Sequence, residues 1–568
     1  MRGHLQQIGS KLVGFWPLTL VATAVYLLTM DRSVSWWDCG EFIATSHLLQ
    51  VGHPPGAPLY QLLAHVFTLF SFGDPMLVAP LSNALSAVAG GLTVGLLYLT
   101  VLELAPGRRV GAAVGALCYL FCDTAWFSAV ESEVYALAML LCAIDVWIAL
   151  RWRRCGDMRL VLLLALLLGL GVCVHLMTLL VVPALALIFI AHRRRLRVTA
   201  GTVVLGVVLF ASGLSPYAIV PIRAAANPPI NEMGESFGAY LRREQYAKAP
   251  LYPRMWRERD AANWREWTLG AEGVAGNVVY CVGYQLGYMY GRYLVDNFGG
   301  RQNMKWRVPV LFVLPALAGL YGLWRQRRRD RGGYWTVMLL FLFGGVILNL
   351  YLNHPCYEPR ARDYVYVLSF YAFALWIGVG AGEWLAQGEA GKAARWRAAV
   401  LLLAPLTMAA GNWSDHDRHG QHAVHDLAMA HLQSCDRDAV LVTLGDNDTF
   451  PLWYLQQVER RRTDVSIYNV GLTGYRQTMD IIESNLGRRP VYVSQYFYDR
   501  YADLFGGRLR CEGLCWRLLP AGEDVGDTEP LRRHVDSIRW NIAEGEYLDR
   551  VSRGMLRSWE ENTRLLGR

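Results

Sequence analysis

The 568 residues hold no zinc-type double pair of cysteines, no internal repeat and no low-complexity segment. The first absence removes a metal-held scaffold. The second removes solenoid arrays and biased, unfolded tails. Charge is also scarce, at 18% Asp, Glu, Lys and Arg against 54% hydrophobic residues, with a mean hydropathy of +0.21. A soluble protein of this size keeps its surface largely polar, so this balance excludes one. The first apolar stretch, 12–30, lacks a small-residue cleavage site and reads as a retained span, not a removable signal. The net charge of +8 lies mostly in clusters between long apolar runs, such as Arg193–Arg195 and Arg327–Arg329. That placement marks cytoplasmic loops and excludes a nucleic-acid partner.

What is present is long apolar helix. A bilayer core of roughly 30 Å takes about 20 apolar residues. The spans expected are 12–30, 78–104, 110–129, 133–150, 160–174, 177–191, 199–219, 308–324, 335–352, 364–385 and 398–411. With these eleven helices, Arg108/Arg109, Arg151/Arg153/Arg154, Arg193–Arg197, Arg325–Arg331 and Lys392/Arg395/Arg397 fall on one side, which the positive-inside rule makes cytoplasmic. Outer loops 31–77 and 220–307, the turn near His175, 353–363 and everything after 411 fall on the other. The 20 Trp and 29 Tyr suit rings at the membrane interfaces. The expected architecture is therefore an α-helical integral membrane domain, 1–411, followed by an extracytoplasmic α/β domain, 412–568. In the latter, strand-like Ala439–Thr443, Val465–Val470 and Val491–Ser494 alternate with helical Phe450–Arg460 and Arg476–Ser484, which predicts parallel pairing. Most of the eleven cysteines, Cys118, Cys122, Cys142 and Cys173 among them, read as small buried hydrophobes. Cys511 and Cys515 form a close pair in a polar region, where a disulfide is open.

The dense polar motifs all fall on the outer side. Asp38 and Glu41 are three residues apart just after the first span, among Trp36 and Trp37. A carboxylate partly desolvated at the membrane surface gains basicity and suits general-base work; the same pair also reads as a helix cap with a neighbouring acid. His53 follows in a rigid Pro/Gly turn, and points to the site or caps it. Glu131 and Glu133 stand between two spans, where acids default to functional roles, and His175 lies in a membrane turn on the same face. Arg360 and Arg362, followed by Asp363, sit at the outer mouth of a span and offer forked donors for phosphate or carboxylate; snorkelling to lipid head groups is the alternative. The loop 227–254, with Arg243 and Glu244, reads as a substrate-facing lid. Gly445-Asp446-Asn447-Asp448-Thr449-Phe450 holds an acid-x-acid triplet that suits a metal and a nucleotide sugar. It equally makes a turn and helix cap, the reading preferred because the outer compartment has no nucleotide-sugar pool.

Taken in order, WDCGEF (37–42), QVGHPPGAPLY (50–60), FSAVESEVYAL (127–137), GVCVHLMTLL (171–180), NPPINE (227–232), REQYAKAPLY (243–252), YLNHPCYEPRARDYVYV (351–367) and GDNDTFPLWYLQQVE (445–459) resemble one family. It is the family of bacterial multi-spanning proteins of formerly unknown function whose eukaryotic relative is the transmembrane O-mannosyltransferase of plexin and MET-type IPT domains. The resemblance runs from residue 12 to about 485, and Leu444 stands where the family commonly shows Asn. Its bacterial members often continue with further helical repeats, so acceptor recognition by such an extension is not expected of these residues. The resemblance implies a GT-C-like glycosyltransferase of the cytoplasmic membrane that moves a sugar, mannose by family, from a polyprenyl-phosphate donor to a Ser/Thr hydroxyl of a secreted or membrane protein, with inversion. It implies Asp38 as base and Glu41 as its helper. Arg360 and Arg362 are implied to take the leaving phosphate, with His53 and His175 orienting it. Glu131, Glu133 and Tyr135 are implied to line the pocket, where Arg243, Glu244 and Asp363 also face substrate. No metal or other cofactor is expected. Transfer to a lipid or glycan acceptor is the nearest alternative. A transporter or flippase would place polar groups near the midplane and show repeat symmetry, and a scaffold or receptor would leave the acidic rim unexplained.

Overall fold

The computed structural model describes residues 2–523 and 552–555, apart from 245, 247–248, 255, 258–259, 300–308, 357, 359 and 388–391. Each expected span falls on a helix: α1 (Arg2–Thr29), α2 (Cys39–Leu48) and α3 (Pro58–Leu69) of the first loop, then α4 (Val78–Leu104), α5 (Arg109–Leu120), α6 (Asp123–Ala129) and α7 (Val134–Cys155), and further helices onward. Among the described residues, four are long and apolar enough to cross a membrane, at Pro75–Leu104, Val134–Cys155, Arg331–Leu352 and Asp363–Leu385. The number rises to six if each bent pair, α5 with α6 and Ala200–Gly213 with Ser215–Ala225, is one span. Val13–Thr29, Met158–Val172 and Leu176–Ala191 are shorter apolar helices. The expected crossings thus fall on helical stretches of unequal length, of which four to six among the described residues are long and apolar enough to cross, in a multi-pass membrane protein.

The helices pack through small residues, as apolar surfaces do where lipid competes equally for contact. Gly111 and Gly115 of α5 lie against Gly378 and Gly382 of the Val367–Leu385 helix, so close that a Cβ at either α5 position would strike the facing backbone. Trp126, Trp152 and Trp376 fill the bundle interior. At 1.5 Å per residue, the 22 residues of α7 reach about 33 Å, enough to carry one end's chemistry to the opposite face of a bilayer.

The C-terminal region is a five-stranded sheet of β1 (Val440–Thr443), β2 (Ser466–Asn469), β3 (Val491–Ser494), β4 (Leu509–Glu512) and β5 (Cys515–Leu518), in the order β2-β1-β3-β5-β4. The predicted strands pair in parallel, β1 with both β2 and β3. The β4–β5 hairpin, antiparallel on β3, was absent from the predicted pattern; its Arg510, Glu512 and Arg517 interrupt the apolar run that marks a buried strand. Helix Lys392–His416 continues past the expected domain boundary at 411. Cys511 and Cys515 are both free: their thiols face the carbonyls of Gly513 and His431, on residues that do not oppose one another across the hairpin.

The sheet region docks on the first outer loop. Cys39, Ile43 and Ala44 of α2 share one buried apolar cluster with Leu452, Leu455 and Leu432. Gly40 makes that contact feasible, since a Cβ there would come within 2.5 Å of the Phe450 carbonyl oxygen.

Candidate active site at the first outer loop

The first loop is fixed before any charge is placed. Asp31 accepts from the Ser33 amide (2.9 Å) and the Ser35 hydroxyl (2.7 Å), while Asn83 of α4 donates to the Asp31 carbonyl (2.8 Å). This anchoring presents Trp37 and Asp38 at the start of α2. Asp38 occupies the cap position, where its carbonyl accepts from the Phe42 amide (2.9 Å) but its carboxylate makes no capping hydrogen bond. Glu41, one turn on, is buried and faces another way: it accepts from the His53 amide (2.7 Å) and lies 2.5 Å from His53 Nδ1. Burial disfavours the His53 charge, but the Glu41 carboxylate outweighs burial and pushes the imidazole up to about 10. His53 therefore stands as a cation clamped on Glu41.

Arg360, more than 300 positions along the chain, meets this loop. Its guanidinium lies 4.5 Å from the centroid of the Trp37 ring and 4.5 Å from that of Tyr364. Burial opposes its charge, yet Tyr364, Asp38 and Glu133 together hold the pKa above the usual arginine value. Among the described residues no carboxylate forms an ion pair with it. Arg362 differs: it donates to the Tyr364 hydroxyl (2.9 Å) and to Glu358 Oε2 (3.2 Å), so much of its charge is already balanced. Asp363 turns away to accept from Thr124 (2.6 Å) and joins this segment to α6.

The two acids at the mouth of α7 also diverge. Glu131 pairs with Arg418 (2.7 Å), both side chains buried, and this internal pair satisfies its charge. Glu133 is buried, and its Oε2 has no hydrogen-bond partner. Burial first and the Asp38 charge second raise its pKa well above the carboxylate range, against the pull of Arg360. Tyr135 follows, with its ring centroid 4.7 Å from Tyr364 and 5.4 Å from His175. His175 accepts from the Met177 amide at Nδ1 (3.1 Å). Burial, then the charges of Arg243 and His53, lower its pKa to about 4, which leaves it neutral.

In the loop expected to be a lid, Arg243 and Glu244 are exposed; Glu244 pairs with Arg242 (2.6 Å), and Arg243 lies over the Tyr246 ring. Gln245, Ala247 and Lys248 of the same motif lie outside the described residues.

One contributor was read differently in the sequence. Asp448 is structural, accepting from the Leu444 and Gly445 amides and from Ser494, as a turn residue should. Asp446, two positions earlier, is exposed and lies within the charge field of Asp38, His53 and Arg360. Desolvation first and Asp38 second push its carboxyl up to about 7. The acid-x-acid spacing was visible; that the first acid turns toward a loop 400 residues away was not.

This end of the bundle thus assembles Asp38, Glu133, Arg360 and Asp446 around an aromatic wall, on the helical frame of a multi-pass membrane protein. The structure of ArnT from Cupriavidus metallidurans bound to undecaprenyl phosphate superposes with a TM-score of 0.52, at 13% identity, over 89% of this chain and 97% of that one. In sequence, the chain is similar to protein O-mannosyl-transferases of the TMEM260 type. Residues 38–198 match the protein O-mannosyl-transferase TMEM260 N-terminal domain, and residues 424–477 match the TMEM260-associated domain 2. The mouse protein O-mannosyl-transferase TMEM260 is 24% identical over 473 residues, covering 80% of this chain and 62% of its own length. The Dictyostelium discoideum relative of the same name is 26% identical over 262 residues, 41% of this chain and 31% of that protein. The relationship expected from the eight motifs is borne out, and the chain spans about three-fifths of the mouse relative.

Proposed function

We propose that the chain is a membrane glycosyltransferase that moves a sugar, mannose by analogy with its named relatives, from a polyprenyl-phosphate donor to a Ser/Thr hydroxyl of a protein. The observation that carries this reading is Arg360, a cation held on two aromatic faces, without a carboxylate partner among the described residues, within the field of Asp38. A forked donor with no partner suits a phosphate that arrives with its substrate. Undecaprenyl phosphate in the ArnT structure is a ligand of that chemistry.

In the proposed step Asp38 takes the proton from the acceptor hydroxyl, whose oxygen bonds to the anomeric carbon as the bond to the phosphate oxygen breaks. The electron pair leaves with the polyprenyl phosphate, and Arg360 stabilises the developing charge. One displacement inverts the anomeric carbon, so a β-linked donor gives an α-linked product. Glu133, whose protonated form burial favours, supports the reading as a hydrogen-bond donor to a sugar hydroxyl, and the Glu41–His53 pair as the brace behind Asp38. The arginine-rich end of α7, about 33 Å away, carries the charges that favour the cytoplasm. That asymmetry supports reading the site as extracytoplasmic, on the outer face of the inner membrane, with a lipid-linked sugar exposed there as the matching donor. Purified chain incubated with radiolabelled polyprenyl-phosphate mannose and a panel of secreted proteins tests the reading. Label in protein, released by base-catalysed elimination, supports it; a donor left intact with every acceptor rejects it.

A further inference from the structure

Besides Asp446, the C-terminal sheet region reaches the candidate site through Asn447. Asn447 is buried, and its Oδ1 accepts a hydrogen bond from the Trp37 amide at 2.6 Å. Trp37 has φ of +61°, in the left-handed region that a bulky residue adopts only when its surroundings hold it there. The opposite face of this small unit is the indole under Arg360. A continuous path therefore runs from Asn447 through the Trp37 backbone and ring to the guanidinium. The amide's other end donates to Ser552 (3.4 Å), and the neighbouring Phe450 carbonyl closes on Gly40, so the docking allows little slack.

We propose that Asn447 is a positioning residue for the donor phosphate: by fixing the Trp37 backbone it sets the platform on which Arg360 is aimed. The proposal rests on the reading of Arg360 as the phosphate ligand. It gives the C-terminal region a task in the reaction itself, because without that region the first loop has no acceptor for the Trp37 amide. Removing the acceptor takes away the Asn447 bond of a half-buried N–H and frees the loop to relax out of the left-handed region. The guanidinium then loses a cation–π face.

The test is the affinity of the full chain for a short-chain polyprenyl phosphate, measured by titration in detergent, in a double-mutant cycle. Asn447→Ala and Trp37→Ala are each expected to weaken binding roughly tenfold, and the double variant to be no weaker than Trp37→Ala alone. Trp37→Phe, which keeps a ring face and the amide, should stay within about threefold. Ser552→Ala, which removes the other bond of the same amide, should leave affinity unchanged. Independent, multiplying losses in the double variant overturn the proposal, as does wild-type affinity in Asn447→Ala. Should Asn447→Ala fail to fold, wild-type affinity in Trp37→Ala overturns it alone. A wild-type chain that does not bind polyprenyl phosphate at all removes the donor reading itself, a different result from normal binding in the variants.

Discussion

The two ends of α7 carry the same kinds of side chain, largely paired at the far end and, beside pairs such as Glu131–Arg418, left partly unpaired at the near end. At the far end Glu383 accepts from Arg108 (3.2 Å), Arg325 (3.1 Å) and Arg329, Glu103 pairs with Arg154 (2.8 Å), and Arg153 pairs with Asp330 (2.8 Å). At the near end Arg360 lies on rings beside acids with no ion-pair partner among the described residues, and Glu133 keeps a buried oxygen unbonded. Buried charge is expensive unless paired. Arginines matched to acids are therefore part of the frame, whereas the half-buried Arg360 and the acids near it are, on the proposed reading, the charges that meet a substrate. The comparison separates structural from functional charge by partner, which residue type and hydropathy do not.

The sharpest way to break that contrast is Asp38→Asn. Loss of a general base removes roughly 10²–10⁴-fold in rate, and because the Asp38 carboxylate makes no capping bond, the apparent Tm should not move. Transfer assays with polyprenyl-phosphate mannose decide it, and a fully active variant would strip Asp38 of the base role. Arg360→Ala should come next, lowering kcat/KM by about 10²-fold, with Arg360→Lys intermediate because an ammonium replaces the charge but not the stacked plane. An unchanged kcat and donor KM would remove Arg360 from the phosphate.

The far end should answer in the opposite currency of observables. Glu383→Gln leaves three arginines without their acid and is expected to lower stability by about 1–3 kcal/mol, while the kcat/KM of the folded fraction stays at the wild-type value. Thermal melts in detergent beside initial rates supply both readings. A Glu383 variant that loses activity faster than stability would show that the two ends are coupled and that pairing alone does not sort the charges.

The same contrast explains what was legible in the sequence. Asp38 and Arg360 were picked out as residue types at span mouths, and the structure brings them together, because which end of a span a residue occupies is a property of the one-dimensional hydropathy pattern. The partners that sort the remaining candidates are tertiary. Arg418 meets Glu131 and Asn447 meets Trp37 across 287 and 410 positions, and no local rule selects either. Asp446 and Asp448 were read together as one turn and helix cap; the local signal was right for Asp448 and silent about the surroundings of Asp446. Similarly, β4 and β5 lack the apolar alternation of a strand since Glu512 is buried against Tyr492 and Arg510, a pairing that only the folded sheet supplies.

The smallest effect should come from the pair that belongs to both categories. His53 and Glu41 are matched like the far-end charges, yet they stand directly behind Asp38. The His53 imidazole is raised in the folded chain from about 6.5 to about 10, so folding takes up its proton. The stability this contributes is complete below about pH 6.5, declines as pH rises, and is gone once pH passes about 10. The apparent Tm of the wild-type chain should therefore fall between about pH 7 and about pH 10, and His53→Gln should flatten that part of the profile while keeping transfer measurable at neutral pH. A His53→Gln profile that retains the wild-type slope would assign the slope to other groups and leave the Glu41 contact without a cation at neutral pH. A flattened profile accompanied by complete loss of transfer would instead move the pair out of the supporting frame and into contact with the substrate.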